Sequence, residues 1–183
     1  MWGFEFIYGS KWILENLFRD GFIAENPDGS KNTWYTVYRG QDLLRGYWKK
    51  EDGEITSRQT ILLDRGEITE IRYYYDSDNK NPYWIYSSRH KSKNVIDVVR
   101  QDKDGNKVSY KIIARRNRLD RVTSYKIQFS EGSSMIATLK YNKEGLLIED
   151  KFQSPEADET EIVEYEYNNQ GTIVLQRIKV IKN

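Results

Sequence analysis

The chain has 183 residues, which predicts one domain, and its 29 Lys and Arg against 28 Asp and Glu leave a formal charge of +1. That near-balance removes the basic excess on which nucleic-acid binding depends, so we expect no nucleic-acid partner. Cysteine is absent and His90 is the only histidine, which excludes disulfides, a cysteine nucleophile and multi-histidine metal sites, and we expect no metal or cofactor.

The first 25 residues differ from the rest of the sequence. Residues 2–8 alternate aromatic and other side chains and predict a strand. Residues 10–20 have the apolar spacing of a short amphipathic helix, with Trp12 and Leu17 on its buried side and Gly21 after its end. We expect this single helix to bury its apolar stripe on the apolar face of a sheet.

Turn-forming residues recur through the remaining sequence, thirteen residues apart with one interval of fourteen. They are Gly40, Gly53, Gly66, Asn79, Ser92, Gly105, Arg118, Gly132, Gly145, Asp158 and Gly171. This interval is too short for a helical repeat and suits one strand followed by one tight turn. We interpret these positions as hairpin tips.

Between the turns, apolar side chains alternate with polar ones, as in strands with one buried face. Ile71, Tyr73 and Tyr75, for example, share one side of a strand, and Glu70 and Arg72 lie on its other side. Because every connection is short, strands that are adjacent in sequence must pair with each other. The sequence therefore predicts an all-β fold, a long antiparallel up-and-down meander of roughly ten to twelve strands.

A sheet of this size usually curls, splits or flattens. One apolar face with one short helix to cover it favours curling into a barrel or half-barrel, with the helix at its mouth or inside. A flat sheet with two solvated faces is the alternative. We expect a single domain over residues 1–183, with the N-terminal strand and helix in residues 1–25 and strand–turn repeats of about 13 residues over residues 33–183.

Two turns share a motif in which tyrosine and asparagine precede the glycine. Tyr141 and Asn142 stand before Gly145, and the same pattern leads from Tyr167 to Gly171. These stretches resemble YD-type (Rhs-type) repeats, in the last third of the chain above all. The resemblance implies a bacterial envelope or secreted protein with a non-catalytic role, and it carries no catalytic residue to this chain.

Aromatic residues cluster on two neighbouring predicted strands, with Tyr73 and Tyr75 on the first and Trp84 and Tyr86 on the second. Together with Trp12 they are candidate ligand-binding residues, because aromatics on the concave side of a curled sheet would line a pocket. An exposed contact patch is an alternative. Cross-strand packing that fixes the register is the commoner explanation for such a cluster.

Two basic clusters are candidates for binding an acidic or phosphate-bearing partner. They comprise Arg89, His90, Lys91, Arg115 and Arg116. The commoner explanation is that they lie in or beside exposed turns. His90 has no acidic or serine residue near it at a recognisable catalytic spacing.

Three functional hypotheses follow. The first is a non-enzymatic bacterial envelope or secreted module that binds a partner or gives structural support. The second is a barrel or half-barrel that carries a lipid or another apolar small molecule, with the helix as its lid. An enzyme is the least supported, because no nucleophile–base spacing, metal set or phosphate-binding loop is visible.

The sequence also bears on location. No apolar run approaches the length of a membrane-spanning helix, so we expect no transmembrane segment. The start of the sequence has neither a basic nor a long apolar region, so no signal peptide is expected there. The absence of cysteine favours an extracytoplasmic location, whether periplasmic, surface or secreted, over a cytoplasmic one.

Overall fold

One helix precedes thirteen strands in the computed structural model, which describes residues 10–75, 80–153 and 158–182. The helix, α1, spans Ser10–Asn16. The strands are β1 (Ile23–Glu25), β2 (Lys31–Arg39), β3 (Leu43–Lys50), β4 (Ile55–Asp64), β5 (Glu67–Tyr75), β6 (Trp84–Ser92), β7 (Val95–Asp102), β8 (Lys107–Arg116), β9 (Val122–Phe129), β10 (Ser134–Tyr141), β11 (Leu147–Gln153), β12 (Glu159–Tyr167) and β13 (Ile173–Lys182). The strand predicted over residues 2–8 lies outside the described residues.

The strands form one closed barrel. Each strand from β1 to β12 pairs antiparallel with its successor, which confirms the predicted all-β, up-and-down arrangement. The ring closes where β1 lies parallel to β13, with Ile23 opposite Leu175 and Glu25 opposite Arg177. The closed barrel is thus the observed shape, and not a half-barrel or a flat sheet. Nothing in the sequence predicts the parallel closure, because the three residues of β1 are too few to show an alternating pattern.

The turn between β12 and β13 explains the residue types at the hairpin tips. Asn168 Oδ1 accepts a hydrogen bond from the backbone amide of Thr172 at 3.0 Å. Gly171 has a φ of 74°, a left-handed conformation that costs other residues about 1–2 kcal/mol. The hydroxyl of Tyr167 donates to the carbonyl oxygen of Leu147 at 2.7 Å. The side chain at the end of β12 thereby fastens the start of β11.

The turn between β10 and β11 has the same contacts. The hydroxyl of Tyr141 donates to the carbonyl oxygen of Val122 at 2.6 Å, and Asn142 Oδ1 accepts from the amide of Leu146 at 2.8 Å. Gly145 has a φ of 82°. Each conspicuous residue of this motif therefore has a structural contact, and the motif shapes hairpins and joins neighbouring strands.

Inward side chains of β7–β12 fill one side of the barrel. They are nearly all apolar and almost completely buried: Ile96, Val98, Tyr110, Ile112, Ala114, Tyr125, Ile127, Ala137, Leu139, Val163 and Tyr165. Burying a large apolar side chain stabilises a fold by about 1.5–3 kcal/mol. This filled side is the main hydrophobic core.

Helix α1 closes one end of the barrel, which we call the helix end; β2 ends and β13 begins there. Arg39, the last residue of β2, donates from Nη2 to the carbonyl oxygens of Leu14 at 3.1 Å and Phe18 at 2.8 Å. The ring centroid of Phe18 lies 5.1 Å from that of Trp34. The opposite end, where β3 and β5 end, is called the far end.

The helix was predicted over residues 10–20, but it ends at Asn16. The amide of Phe18 bonds to the carbonyl of Ile13 at 3.2 Å and not to that of Leu14, which accepts from Arg39. The regular ladder of helical hydrogen bonds is therefore broken after one and a half to two turns. The residues that follow lead the chain into the barrel wall.

Candidate functional site

Two adjoining cavities lie inside the barrel, on the side formed by β3–β6 and β13. The inner cavity, about 260 Å³, is bounded toward the helix end by Leu17, Phe18 and Phe22. The outer cavity, about 340 Å³, reaches the far end, where Tyr75 is 50% exposed. The residues that line both are Trp48, Gln59, Tyr73, Trp84 and Gln176. Because they share these walls, we treat the two cavities as one site.

The position of the helix differs from the predicted lid. Leu17 and Phe18, which directly follow α1, line the deep part of the inner cavity. The outer cavity is lined instead by residues near the far end, including Asn32 at the start of β2. The residues just after the helix therefore form the floor of the site, and the outer cavity extends from there toward the far end.

The register of β4–β6 assembles the aromatic wall. Tyr73 lies directly opposite Gln59 of β4 and Trp84 of β6. The rings of Tyr73 and Tyr86 meet edge to face, with their centroids 5.5 Å apart. Tyr86 lines the inner cavity and Tyr75 the outer one. The fold thus brings together the four candidate ligand-binding aromatics that lie on β5 and β6.

Trp12, the fifth candidate ligand-binding residue, is kept apart from them. Its ring packs edge to face on Tyr165 with a centroid distance of 6.3 Å, and it lines neither cavity. The helix contributes to the site through the residues just beyond its end. Helical spacing identifies an apolar side, but it does not identify which part of that side borders a cavity.

The lining residues that sequence reasoning missed include Trp48, Gln59, Gln176 and Asn32. Gln59 carried a signal, since it lies on the same side of β4 as Ile61 and is therefore a polar residue in an inward position. Gln176 carried none, because its direction depends on how β13 pairs with both β12 and β1.

Polar atoms are buried in this site without a partner. The exposed fraction is 7% for Gln59 and 2% for Gln176. Among the described residues, Gln59 Oε1, Gln176 Nε2 and Asn32 Oδ1 have no hydrogen-bond partner. Leaving a buried polar atom unpaired costs about 1–3 kcal/mol, so native proteins keep few of them. The site offers two acceptors and one donor to a guest molecule.

The site carries no formal charge. Within the described ranges, neither cavity is lined by an Asp, Glu, Lys, Arg or His side chain. Arg100 stacks on Trp84, with its guanidinium carbon 4.6 Å from the ring centroid, but it is not part of either lining. Aromatic faces and neutral polar groups therefore form the walls of the site, and the guanidinium of Arg100 packs on one of these walls.

The two basic clusters predicted to bind a partner lie together at the helix end, on the last residues of β6 and β8. Arg116 donates from Nε to Asn94 Oδ1 at 3.0 Å and from Nη1 to the carbonyl of Asp120 at 2.9 Å. Its guanidinium thereby joins the turn after β6 to the turn after β8. The other members, Arg89, His90, Lys91 and Arg115, are exposed.

A groove on the outer face of β3–β5, about 420 Å³ in volume, was not predicted. Its basic and aromatic residues are Arg45, Arg58, Arg72, Lys80, Tyr47 and Tyr74. Arg72 donates from Nε to Glu70 Oε1 at 2.5 Å, and this hydrogen bond raises the pKa of Arg72. These side chains are distributed over three strands and a loop, so no local sequence motif indicates that they form a groove.

The amino-acid sequence matches no known protein family, and no curated protein is significantly similar to it. Across residues 10–75, 80–153 and 158–182, no helix has the length and apolar character needed to cross a membrane. The relationship to YD-repeat proteins stays a prediction.

Proposed function

We propose that the protein is a binding protein that holds a small molecule inside its barrel, in the site between the helix end and the far end. This is the second of the hypotheses drawn from the sequence, with the helix as floor and not as lid. The observation that carries it is a hollow, uncharged site with aromatic walls and buried, unpaired amide atoms.

The contrast between the two sides of the barrel supports this proposal. Protein interiors are usually packed as densely as organic crystals, and most inward side chains of β7–β12 are almost completely buried. On the side of β3–β6, large rings border empty volume, and Gln59 Oε1 and Gln176 Nε2 have no hydrogen-bond partner. A barrel with a purely structural role gains nothing from this arrangement, whereas a guest molecule fills the volume and pairs the amides.

The test is ligand-dependent thermal stabilisation, followed by tryptophan fluorescence. A molecule that binds only the folded state stabilises it by mass action and so raises the melting temperature. At a concentration 100-fold above its Kd, the free energy of unfolding increases by about 2.7 kcal/mol. We expect at least one compound from a panel of sugars, aromatic amphiphiles and fatty acids to raise the melting temperature and to change the emission of Trp48 and Trp84. Tyr73→Leu, which alters both cavities, should abolish that shift.

Tyr38→Leu is the matched control, because Tyr38 is 53% exposed and lines neither cavity. It should leave the ligand-induced shift intact. If no compound stabilises the wild type at millimolar concentration, the proposal is wrong.

A surface-binding module is the second candidate, and the outer groove favours it. The aromatic rings and basic side chains there suit an acidic partner. Arg45→Gln combined with Lys80→Gln should weaken capture of an acidic peptide on a biosensor without changing the melting temperature; unchanged capture would remove this candidate. An envelope or secreted location and the absence of enzymatic activity stay predictions.

A further inference from the structure

The unpaired atoms of the site specify which hydrogen bonds a guest must make. Gln59 Oε1 and Asn32 Oδ1 can only accept, and Gln176 Nε2 can only donate. The side chains of Gln59 and Gln176 are both more than nine-tenths buried, so bulk water does not solvate them freely. A guest that fits must present at least one donor and one acceptor to the same small volume.

These requirements argue against two classes of guest. A carboxylate or phosphate would lie against the two amide oxygens with no cation in the described lining to compensate for its lost hydration. A hydrocarbon chain would leave all three polar atoms unpaired. Hydroxyl groups meet both demands, because each can donate and accept.

The walls of the site add a requirement of shape. Trp48, Tyr73 and Trp84 border both cavities, and Tyr86 completes the inner one. Aromatic faces are the negative part of the ring quadrupole and attract weakly positive C–H groups. One face of a saccharide ring is made of such C–H groups, whereas its rim carries hydroxyls.

We infer that the guest is an uncharged saccharide, whose C–H face packs on the aromatic wall and whose hydroxyl groups donate to Gln59 and Asn32 and accept from Gln176. This inference rests on the proposed function and narrows it. It replaces the lipid or apolar guest of the sequence hypothesis with a polar, neutral one.

The experiment compares a panel of neutral mono- and disaccharides with glucuronate and dodecanoate by isothermal titration calorimetry. A neutral saccharide should bind, and glucuronate and dodecanoate should not. Gln59→Met and Gln176→Met keep the approximate volume and remove the amide, so each should lower the affinity for that saccharide about three- to tenfold. Each should also raise the melting temperature of the free protein, because an unpaired buried polar group is gone.

Gln128→Met on the outside of β9 is the control. It should change neither the affinity for the saccharide nor the melting temperature, because Gln128 is exposed. Binding of dodecanoate without any saccharide overturns this inference and leaves the proposed function intact. Failure of every compound in this panel overturns the inference, and failure of the wider panel in the thermal screen, aromatic amphiphiles included, overturns the proposed function as well. A lower melting temperature for Gln59→Met and Gln176→Met would show that the amides are structural, which also overturns the inference.

Discussion

At the scale of single residues, polar side chains next to the hairpin tips shape the turns. Asp102 Oδ1 accepts from the backbone amides of Asp104 and Asn106, both at 2.9 Å, and its Oδ2 accepts from Asn106 Nδ2 at 2.9 Å. The side-chain bond from Asn106, followed by the backbone bonds, lowers the pKa of Asp102 below its ordinary 3.8. Asparagine occupies the equivalent place in the turns at Asn142 and Asn168.

We expect Asp102→Asn to remove an acid-sensitive part of the stability. A carboxylate whose pKa is lower in the folded state stabilises the protein above its unfolded pKa, and this contribution is lost as the pH falls through the folded pKa. The asparagine keeps the Oδ1 acceptor and lacks the titrating charge. The wild type should therefore be more stable than the variant near pH 5, and this difference should shrink below about pH 4.

Urea denaturation between pH 5 and pH 2 measures this difference. Asp104→Asn, a change at an exposed position of the same turn, is the matched control. A difference between wild type and Asp102→Asn that stays constant with pH would contradict the explanation.

At the scale of elements, one arginine holds the floor of the site in place. The two hydrogen bonds from Arg39 reach the carbonyl oxygens of Leu14 and Phe18, at the end of the helix segment where positive charge is favourable. Phe18 itself lines the inner cavity. The position of the floor is therefore linked to the end of β2.

Arg39→Met should loosen this floor. Because Arg39 is exposed, we expect a loss of only about 1 kcal/mol in global stability. Hydrogen exchange of the amides of Leu17 and Phe18 should nevertheless become clearly faster, and guest affinity should fall. Lys11→Met is the control, since the ion pair of Lys11 with Glu15 at 4.0 Å is exposed and contributes little. Equal exchange rates in the two variants would show that Arg39 does not fasten the helix segment.

Strands β4, β5 and β13 show which parts of the fold and of the site could be predicted from the sequence. Alternation within one strand is a local property, so the inward direction of Ile71 and Tyr73 and the hairpin at Gly66 could be predicted. The approach of Gln176 to Gln59 is not local, because it joins β13 to β4 across the interior. Register shifts, such as the one between Leu62 and Leu63, also change which residues face inward without any mark in the sequence. The aromatic residues of β5 and β6 were therefore predictable from the sequence, and the position of Gln176 was not.

At the scale of the whole molecule, the barrel depends on a seam between distant parts of the chain. Arg177 of β13 donates from Nε to Glu25 of β1 at 3.0 Å and from Nη1 to Glu166 of β12 at 2.9 Å. These bonds, the one to Glu25 first, raise the pKa of Arg177. One guanidinium thus bridges three adjacent strands on the outside of the barrel.

Arg177→Met should weaken the pairing of β1 with β13 more than it weakens the rest of the barrel. It retains an aliphatic side chain but loses both hydrogen bonds, so we expect faster hydrogen exchange of the amides of β1, with the largest effect at low salt. Lys179→Met is the matched control, because the ion pair from Lys179 to Glu164 at 2.6 Å stays between β12 and β13. Unchanged protection of β1 in Arg177→Met would mean that backbone pairing alone closes the ring.

The parallel pairing of β1 with β13 has a consequence for biosynthesis. Successive hairpins join residues close in sequence and can form as the chain leaves the ribosome. Ile23 of β1, in contrast, cannot pair with Leu175 until β13 has been synthesised. Until the thirteenth strand has been translated, the nascent sheet keeps two unpaired edges, which are templates for association with other chains. The hazard of aggregation therefore ends only when β13 has been synthesised and has paired with β1, and a chaperone that shields strand edges would matter most until then.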